Sequence, residues 1–241
     1  MISIFIGTLY SGEAEFEQHT LALRNQVGVK IYHHVIKDLS EYQAHKKLWN
    51  DWEKLSKNFQ LFIKIDSDTV LIRETALLEI SKLFENPNVT GCQIKLLDYF
   101  SNSFIAGINA YSPKVEFTKK PKRLFPDRAD FNNNLVLKGS DTEHLEPIAY
   151  HCINPDMRQS FTYGYHRMLK KQNDVIKLVA ENWLIHNDDA RMWALSGAQL
   201  AEKHRLRKRF YRSEYVNKIF SKQQSVEIES IKKFAEKFLN N

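Results

Sequence analysis

The stretch FIKIDSDTVL (Phe62–Leu71) places two aspartates, one residue apart, directly after a short apolar run. The segment FQLFIKI (Phe59–Ile65) has the length and composition of a buried strand. Two neighbouring carboxylates at the end of such a strand are costly unless a positive partner offsets them, and a divalent cation is one such partner. The stretch therefore predicts a catalytic or metal-binding site at a strand end.

Upstream of this strand, the chain alternates between strand and helix patterns. Strands are predicted over ISIFIG (Ile2–Gly7) and VKIYHHVI (Val29–Ile36), and helices over EAEFEQHTLALRNQ and Glu41–Lys57. A β-α-β-α-β order favours a parallel sheet covered by helices, in which ligands bind beyond the carboxyl ends of the strands. The aspartates would lie at that edge.

The remainder of the chain predicts more strands and then helices. Strands are indicated over Val89–Phe100 and Phe104–Ser112 and within His144–Ile153, and the pattern beyond them is helical. We predict an α/β core over residues 1–155 and a helical region over residues 156–241. The length of 241 residues, with 43% hydrophobic and 27% charged residues, is typical of a soluble globular protein.

The net charge of +6 is compatible with nucleic acid, an anionic membrane or a phosphorylated small molecule as a partner. The run KHRLRKRFYR (Lys203–Arg212) could contact nucleic acid or anionic lipid, or form a solvated helix face. Nucleic acid is disfavoured because no zinc-finger spacing, RNP signature or glycine-rich phosphate loop accompanies the run. A basic binding module without catalysis remains one alternative function.

The sequence also bears on the compartment. No apolar run reaches the roughly 18 residues that span a bilayer, and the N-terminus lacks the basic start of a signal peptide. Cys92 and Cys152 are too few for a disulfide framework and are interpreted as ordinary thiols. We predict a cytoplasmic protein, with peripheral membrane contact as an option.

The motif in its context resembles a GT-A glycosyltransferase of the family-2-like kind. The resemblance is carried by ISIFIGT, the β-α-β-α-β order and IKIDSD, and covers about residues 2–112. It implies a Rossmann-like, mostly parallel sheet, a nucleotide-sugar donor, Mn²⁺ or Mg²⁺, and sugar transfer to a hydroxyl of a glycan or lipid-linked acceptor. It also implies that Asp68 contacts the metal, and that Asp66 contacts the ribose or a water on the metal.

Other residues are candidates for completing this site. Asp66 and Asp68 are the first two candidate metal ligands, and His151, which lies in an apolar stretch, could supply an imidazole as the third. The resemblance places the nucleoside near the loop after the first strand. It also places a segment that closes over the donor in the region after Ser160. The candidate donor-binding residues are Thr8, Tyr10, Asp66, Ser67, Asp68, Arg158, His166 and Arg167.

An inverting transferase needs a general base to deprotonate the acceptor hydroxyl. Asp127 is favoured because PDRADF follows a loop rich in Lys and Arg, FTKKPKRLF, about where the resemblance places the acidic base. Asp130 and Glu143 are the next candidates. Inversion is favoured, and a retaining mechanism stays open.

The same letters also fit a haloacid-dehalogenase-like phosphatase, with the motif D-x-D-x-[TV]-[LV]. Asp66 would then be the nucleophile and Asp68 the general acid–base. Three observations disfavour this alternative: the motif follows the third strand rather than the first, Thr69 stands where glycine is common, and the later acidic pair Asp188-Asp189 lies in a helical pattern.

Overall fold

The computed structural model describes residues 1–115, 135–203, 213–223 and 225–239. The strands are β1 (Ile2–Leu9), β2 (Val29–Ile36), β3 (Leu61–Lys64), β4 (Thr69–Leu71), β5 (Val89–Asp98), β6 (Ser103–Tyr111), β7 (Leu135–Leu137) and β8 (Ala149–His151). The helices are α1 (Phe16–Arg24), α2 (Glu41–Leu55), α3 (Ala76–Lys82), α4 (Met157–Leu169), α5 (Asn173–His186), α6 (Asp189–Glu202), α7 (Ser213–Phe220) and α8 (Ile228–Leu239). The predicted α/β class with a helical C-terminal region is confirmed.

The sheet joins parallel strands to antiparallel ones. In the described residues its order is β2-β1-β3-β6-β5-β8-β4, with β7 paired to β5. β1 runs parallel to both β2 and β3, whereas β3–β6 and β4–β8 are antiparallel. The carboxyl ends of β1, β2 and β3 therefore meet at one edge, which is the edge predicted to carry the site.

Alternate residues of β1 build two apolar layers, because successive side chains of a strand point to opposite faces. Ile4 and Ile6 join the cluster that contains Leu77 of α3. Phe5 joins the other cluster and lies 5.7 Å, centroid to centroid, from the ring of Trp52 on α2. Helices thus pack on both faces of the parallel strands.

The chain divides into two compact units, for which the sequence predicted a boundary after residue 155. The first contains residues 1–97 and 104–153, and the second contains residues 98–103 and 154–241. In the second unit, buried Asp98 accepts hydrogen bonds from the Ser101 backbone at 2.8 Å and from the Tyr163 hydroxyl at 2.8 Å. No helix in the described ranges combines the length and the apolar character needed to cross a membrane.

Two glycines allow α4 and α6 of the second unit to touch through their backbones. A Cβ added at Gly164 would lie 1.7 Å from the carbonyl oxygen of Ala194, and one added at Gly197 would lie 2.0 Å from that of Phe161. The missing side chains of these glycines therefore allow close helix packing.

Candidate metal centre

The loop with the two aspartates connects the end of β3 to β4. β3 ends at Lys64, and the amide of Thr69 donates to the carbonyl oxygen of Asp66 at 3.0 Å, which closes a turn. β4 then pairs with β8 so that Thr69 lies opposite His151. This pairing brings the residue before β4 close to residues at the end of β8, which are more than 80 positions away in sequence.

Asp68, His151 and Cys152 form a compact group of potential ligands. Nε2 of His151 lies 3.5 Å from Oδ2 of Asp68, and Sγ of Cys152 lies 3.4 Å from the same oxygen. The sulfur also lies 3.6 Å from that imidazole nitrogen. Within the described ranges, these three residues are the one group of His, Cys, Asp and Glu side chains whose ligand atoms converge, all within 4.8 Å of one another.

The carboxylate of Asp68 is poorly compensated by the protein around it. Its Oδ1 is buried and has no hydrogen-bond partner among the described residues. Desolvation raises the pKa of Asp68, and the nearby carboxylates of Asp66 and Glu13 raise it further against the opposing effect of His151. A bound divalent cation would offset this cost, so the oxygen, nitrogen and sulfur donors fit a metal ion.

Asp66 has a different environment from Asp68. Its side chain is 51% exposed, and its Oδ1 accepts a hydrogen bond from Nζ of Lys64 at 2.8 Å. Desolvation acts to raise the pKa of Asp66, but the ammonium group of Lys64 together with His45 and His151 lowers it. β3 ends at Lys64, before the two aspartates, so strand geometry does not place the side chains of Asp66 and Asp68 on the same side. Asp66 is not one of the three clustered residues.

Two residues without a recognisable signal in the sequence, Glu13 and His19, hold this loop. The hydroxyl of buried Ser67 donates to Oε2 of Glu13 at 2.7 Å, and the backbone of Ser11 donates to the same oxygen. From α1, Nδ1 of His19 lies 2.7 Å from the carbonyl oxygen of Thr69. The loop is thus fixed on both sides of Asp68.

His19 also belongs to a chain of hydrogen bonds at the end of β1. A carbonyl oxygen can only accept a hydrogen bond, so Nδ1 of His19 carries a proton and donates it in the hydrogen bond to the carbonyl oxygen of Thr69. In the neutral ring Nε2 must then accept from the Thr8 hydroxyl at 3.1 Å, and that hydroxyl accepts from Nε2 of His33 at 3.1 Å. Desolvation lowers the pKa of His19. Desolvation is also the main cause that lowers the pKa of His33 to about 4, and repulsion from His19 adds to it. Both rings are therefore neutral at pH 7.

The nucleoside candidates differ in accessibility. Thr8 is completely buried and its hydroxyl is engaged by the two histidines. Tyr10 is half-buried, packs on the ring of Phe16 at 4.3 Å, and has Nζ of Lys37 4.9 Å from its ring centroid. Tyr10 is thus the more accessible of the two residues that follow the first strand.

Three candidates for the diphosphate lie on α4, in the second unit. Arg158 is half-buried there, and the ring of His166 makes an edge contact with Tyr165. The guanidinium group of Arg167 lies 4.7 Å from the ring centroid of Tyr163 and donates to Oε1 of Gln172 at 3.1 Å. The role of these residues toward a diphosphate stays a prediction.

The general-base candidates and the basic run are only partly described. Glu143 is exposed and lies on a 3-10 turn of the first unit. Asp127, Asp130 and residues 204–212 of the basic run lie outside the described residues. The choice among the three acids stays a prediction.

The acidic pair that the phosphatase alternative needs has a structural function. Asp188 caps α6: its Oδ1 accepts from the backbone N–H of Arg191 at 2.9 Å, and its Oδ2 pairs with the Arg191 guanidinium at 2.7 Å. Asp189 is the first residue of the same helix and is exposed. This pair is therefore explained by helix capping, and the phosphatase alternative loses its second acidic site.

Comparison with known proteins gives distant structural likeness only. The chain is similar to a glycosyltransferase involved in the glycosylation of the major capsid of PBCV-1, with 10% identity, TM-score 0.39, and 63% of this chain and 94% of that chain covered. It is similar to the mannosyltransferase PcManGT from Pyrobaculum calidifontis, solved in complex with GDP-Man and Mn²⁺, with 11% identity and TM-score 0.43; the match covers 82% of this chain and 73% of that chain. It is also similar to residues 1–349 of S. aureus TarS, with 12% identity and TM-score 0.37; the match covers 87% of this chain and 73% of that chain.

No protein-family model matches the chain, and no curated protein sequence does. Likeness at this level does not assign an activity, which has to come from the residues of the site.

Proposed function

We propose that this protein is a metal-dependent glycosyltransferase that moves a sugar from a nucleotide-sugar donor to a hydroxyl of a glycan or lipid-linked acceptor. The observation that carries the proposal is the pair of Asp68 and His151 at the sheet edge, with a buried carboxylate oxygen of Asp68 that accepts no hydrogen bond from any described residue. A metal held there would supply positive charge to the diphosphate of the donor and so stabilise the leaving group.

The other residues of the loop have separate tasks in this proposal. Asp66 is exposed beside Lys64, so the pair can hold a polar part of the donor such as the ribose. Glu13 and His19 keep the loop rigid, so that Asp68 does not have to be ordered at the time of binding. Tyr10 offers a half-buried ring at the end of the first strand for the nucleoside.

The bond changes follow from a direct displacement. The acceptor oxygen forms a bond to the anomeric carbon, the bond from that carbon to the diphosphate oxygen breaks, and the nucleoside diphosphate leaves with the electron pair. An acidic residue takes the proton of the acceptor hydroxyl, and Asp127, Asp130 and Glu143 are the proposed candidates. This path inverts the anomeric centre.

A panel of nucleotide sugars and nucleoside diphosphates tests the proposal. Thermal unfolding is measured with each compound, with EDTA or with a divalent cation, and the stabilising donor is then assayed for release of nucleoside diphosphate. We expect at least one nucleotide to raise the midpoint only when the cation is present. If no nucleotide stabilises the protein and a phosphomonoester is hydrolysed instead, the transferase proposal is wrong.

A further inference from the structure

Cys152 gives the candidate metal centre a donor that is unusual beside a carboxylate-rich loop. Its sulfur lies 3.4 Å from Oδ2 of Asp68 and 3.6 Å from Nε2 of His151, so it belongs to the same cluster as these two predicted ligands. Oxygen donors suit Mg²⁺ and Mn²⁺, whereas thiolate and imidazole donors suit ions such as Zn²⁺. The sulfur therefore bears on which ion the site selects.

The spacing of the three donor atoms fits a tetrahedral ion. Metal–ligand distances of a tetrahedral zinc site place neighbouring S, N and O ligand atoms about 3.4–3.6 Å apart. The three observed separations, 3.4, 3.5 and 3.6 Å, fall in this range.

The backbone at Cys152 is shaped to bring the sulfur to this position. Its φ is 53°, in the left-handed region that costs a residue with a Cβ about 1–2 kcal/mol. Its amide donates to the carbonyl oxygen of Asp68 at 2.9 Å, which fixes the residue against the aspartate loop. In a regular strand, consecutive side chains point to opposite faces, and this break in the pattern lets His151 and Cys152 face one point.

We propose that Cys152 is the third protein ligand of a tetrahedral centre, with Asp68 and His151, and that this centre selects a thiophilic divalent ion of the Zn²⁺ or Co²⁺ kind over Mg²⁺. The Cys152 thiol gives up its proton when the ion binds. Three protein ligands leave the fourth position open for an oxygen of a bound substrate. The use of that position by a diphosphate rests on the proposed function, but capture of the ion does not.

Cobalt titration of the full chain tests the proposal, because Co²⁺ bound to thiolate gives an intense near-ultraviolet charge-transfer band. We expect this band in the wild-type protein, with Zn²⁺ abolishing it and a large excess of Mg²⁺ leaving it unchanged. Cys152→Ser should lose the band and bind Zn²⁺ at least about tenfold more weakly. Cys92→Ser is the matched control and should keep the band, since Cys92 is equally buried in the core and burial raises its pKa to about 12.

Several outcomes would overturn the inference: cobalt binding to the wild type without the band, a band that survives in Cys152→Ser, or displacement of cobalt by Mg²⁺. If Cys152→Ser does not fold, the cobalt spectrum of the wild type and the competition with Zn²⁺ and Mg²⁺ still test the inference. Nucleotide binding with Mn²⁺ or Mg²⁺ but no sulfur band would refute this inference and leave the proposed function standing. A sulfur band without nucleotide binding would support this inference and refute the proposed function.

Discussion

Nε2 of His151 lies 3.5 Å from Oδ2 of Asp68 because the three-residue strands β4 and β8 pair with Thr69 opposite His151. This contact joins two short segments that are far apart in sequence. Each strand has only three residues and few backbone hydrogen bonds, so the geometry of the centre depends on side-chain contacts that hold the loop. Ser67, Glu13 and His19 provide those contacts.

Removing one loop contact should weaken both ion binding and the fold. Ser67→Ala deletes the hydrogen bond to Glu13, so we expect Zn²⁺ or Co²⁺ affinity to fall several-fold and the free energy of unfolding to fall by about 1 kcal/mol. Calorimetric ion titration and urea unfolding measure the two effects. Ser81→Ala is the control, since that buried hydroxyl donates to Leu78 away from the site and should change stability alone. Equal ion affinity in wild type and Ser67→Ala would refute this role of the loop.

The neutral histidine pair predicts a pH dependence of stability. The pKa values of His19 and His33 are lowered, to about 4 for His33, so the unfolded chain takes up protons below about pH 6.5 before the folded chain does. The stability contributed by the neutral rings is present above pH 6.5 and is lost as the pH falls from there toward 4. Urea unfolding at a series of pH values should show this decline, and His33→Gln should reduce its slope.

The control for the pH experiment is the exposed His144, whose replacement by glutamine should leave the wild-type slope unchanged. Glutamine at position 33 can still donate a hydrogen bond to the Thr8 hydroxyl, so the variant changes the titration without removing the donor. A slope for His33→Gln equal to that of the wild type would show that this ring does not stay neutral in the folded state.

The close packing of α4 on α6 predicts that Gly164→Ala is strongly destabilising. The new methyl group would lie 1.7 Å from the carbonyl oxygen of Ala194, so the helices must separate, at a cost of about 3 kcal/mol or more. Thr162→Ala on the same helix should change the free energy of unfolding by less than about 1 kcal/mol, because its hydroxyl has no hydrogen-bond partner in the described structure. Urea denaturation compares both variants, and a Gly164→Ala protein of wild-type stability would contradict the packing.

The regular part of the fold could be predicted because its sequence patterns are long. β2 has the predicted bounds, and β1 extends two residues beyond its predicted end. The strands β4 and β7 were missed, since three residues are too few to show a period and their place in the sheet is set by partners distant in sequence. The sheet edge was thus predictable, but not β4, whose pairing with β8 brings Asp68 to His151.

For the site, the sequence indicated the ligand types but not how they come together. Asp66, Asp68 and His151 were predicted as ligands; Asp68 and His151 lie in contact, whereas Asp66 pairs with Lys64. Cys152 was interpreted as an ordinary thiol because two cysteines are too few for a disulfide framework. Strand alternation would turn its side chain away from His151, and its left-handed backbone is not visible in the sequence. Glu13 lacked a signal for a different reason, since its contact with Ser67 depends on the folded path of two loops.

The central claim is that Asp68 is needed for cation-dependent binding of a nucleotide. The most direct measurement is calorimetric binding of the nucleoside diphosphate identified in the panel, to wild type and to Asp68→Asn, with Mn²⁺ or Zn²⁺ and with EDTA. Asp141→Asn, at an exposed carboxylate of the same unit, is the matched control. We predict that binding requires the cation in the wild type and in the control and is lost in Asp68→Asn, while all three proteins unfold cooperatively. Cation-dependent binding of undiminished affinity in folded Asp68→Asn would contradict the account and place the metal elsewhere.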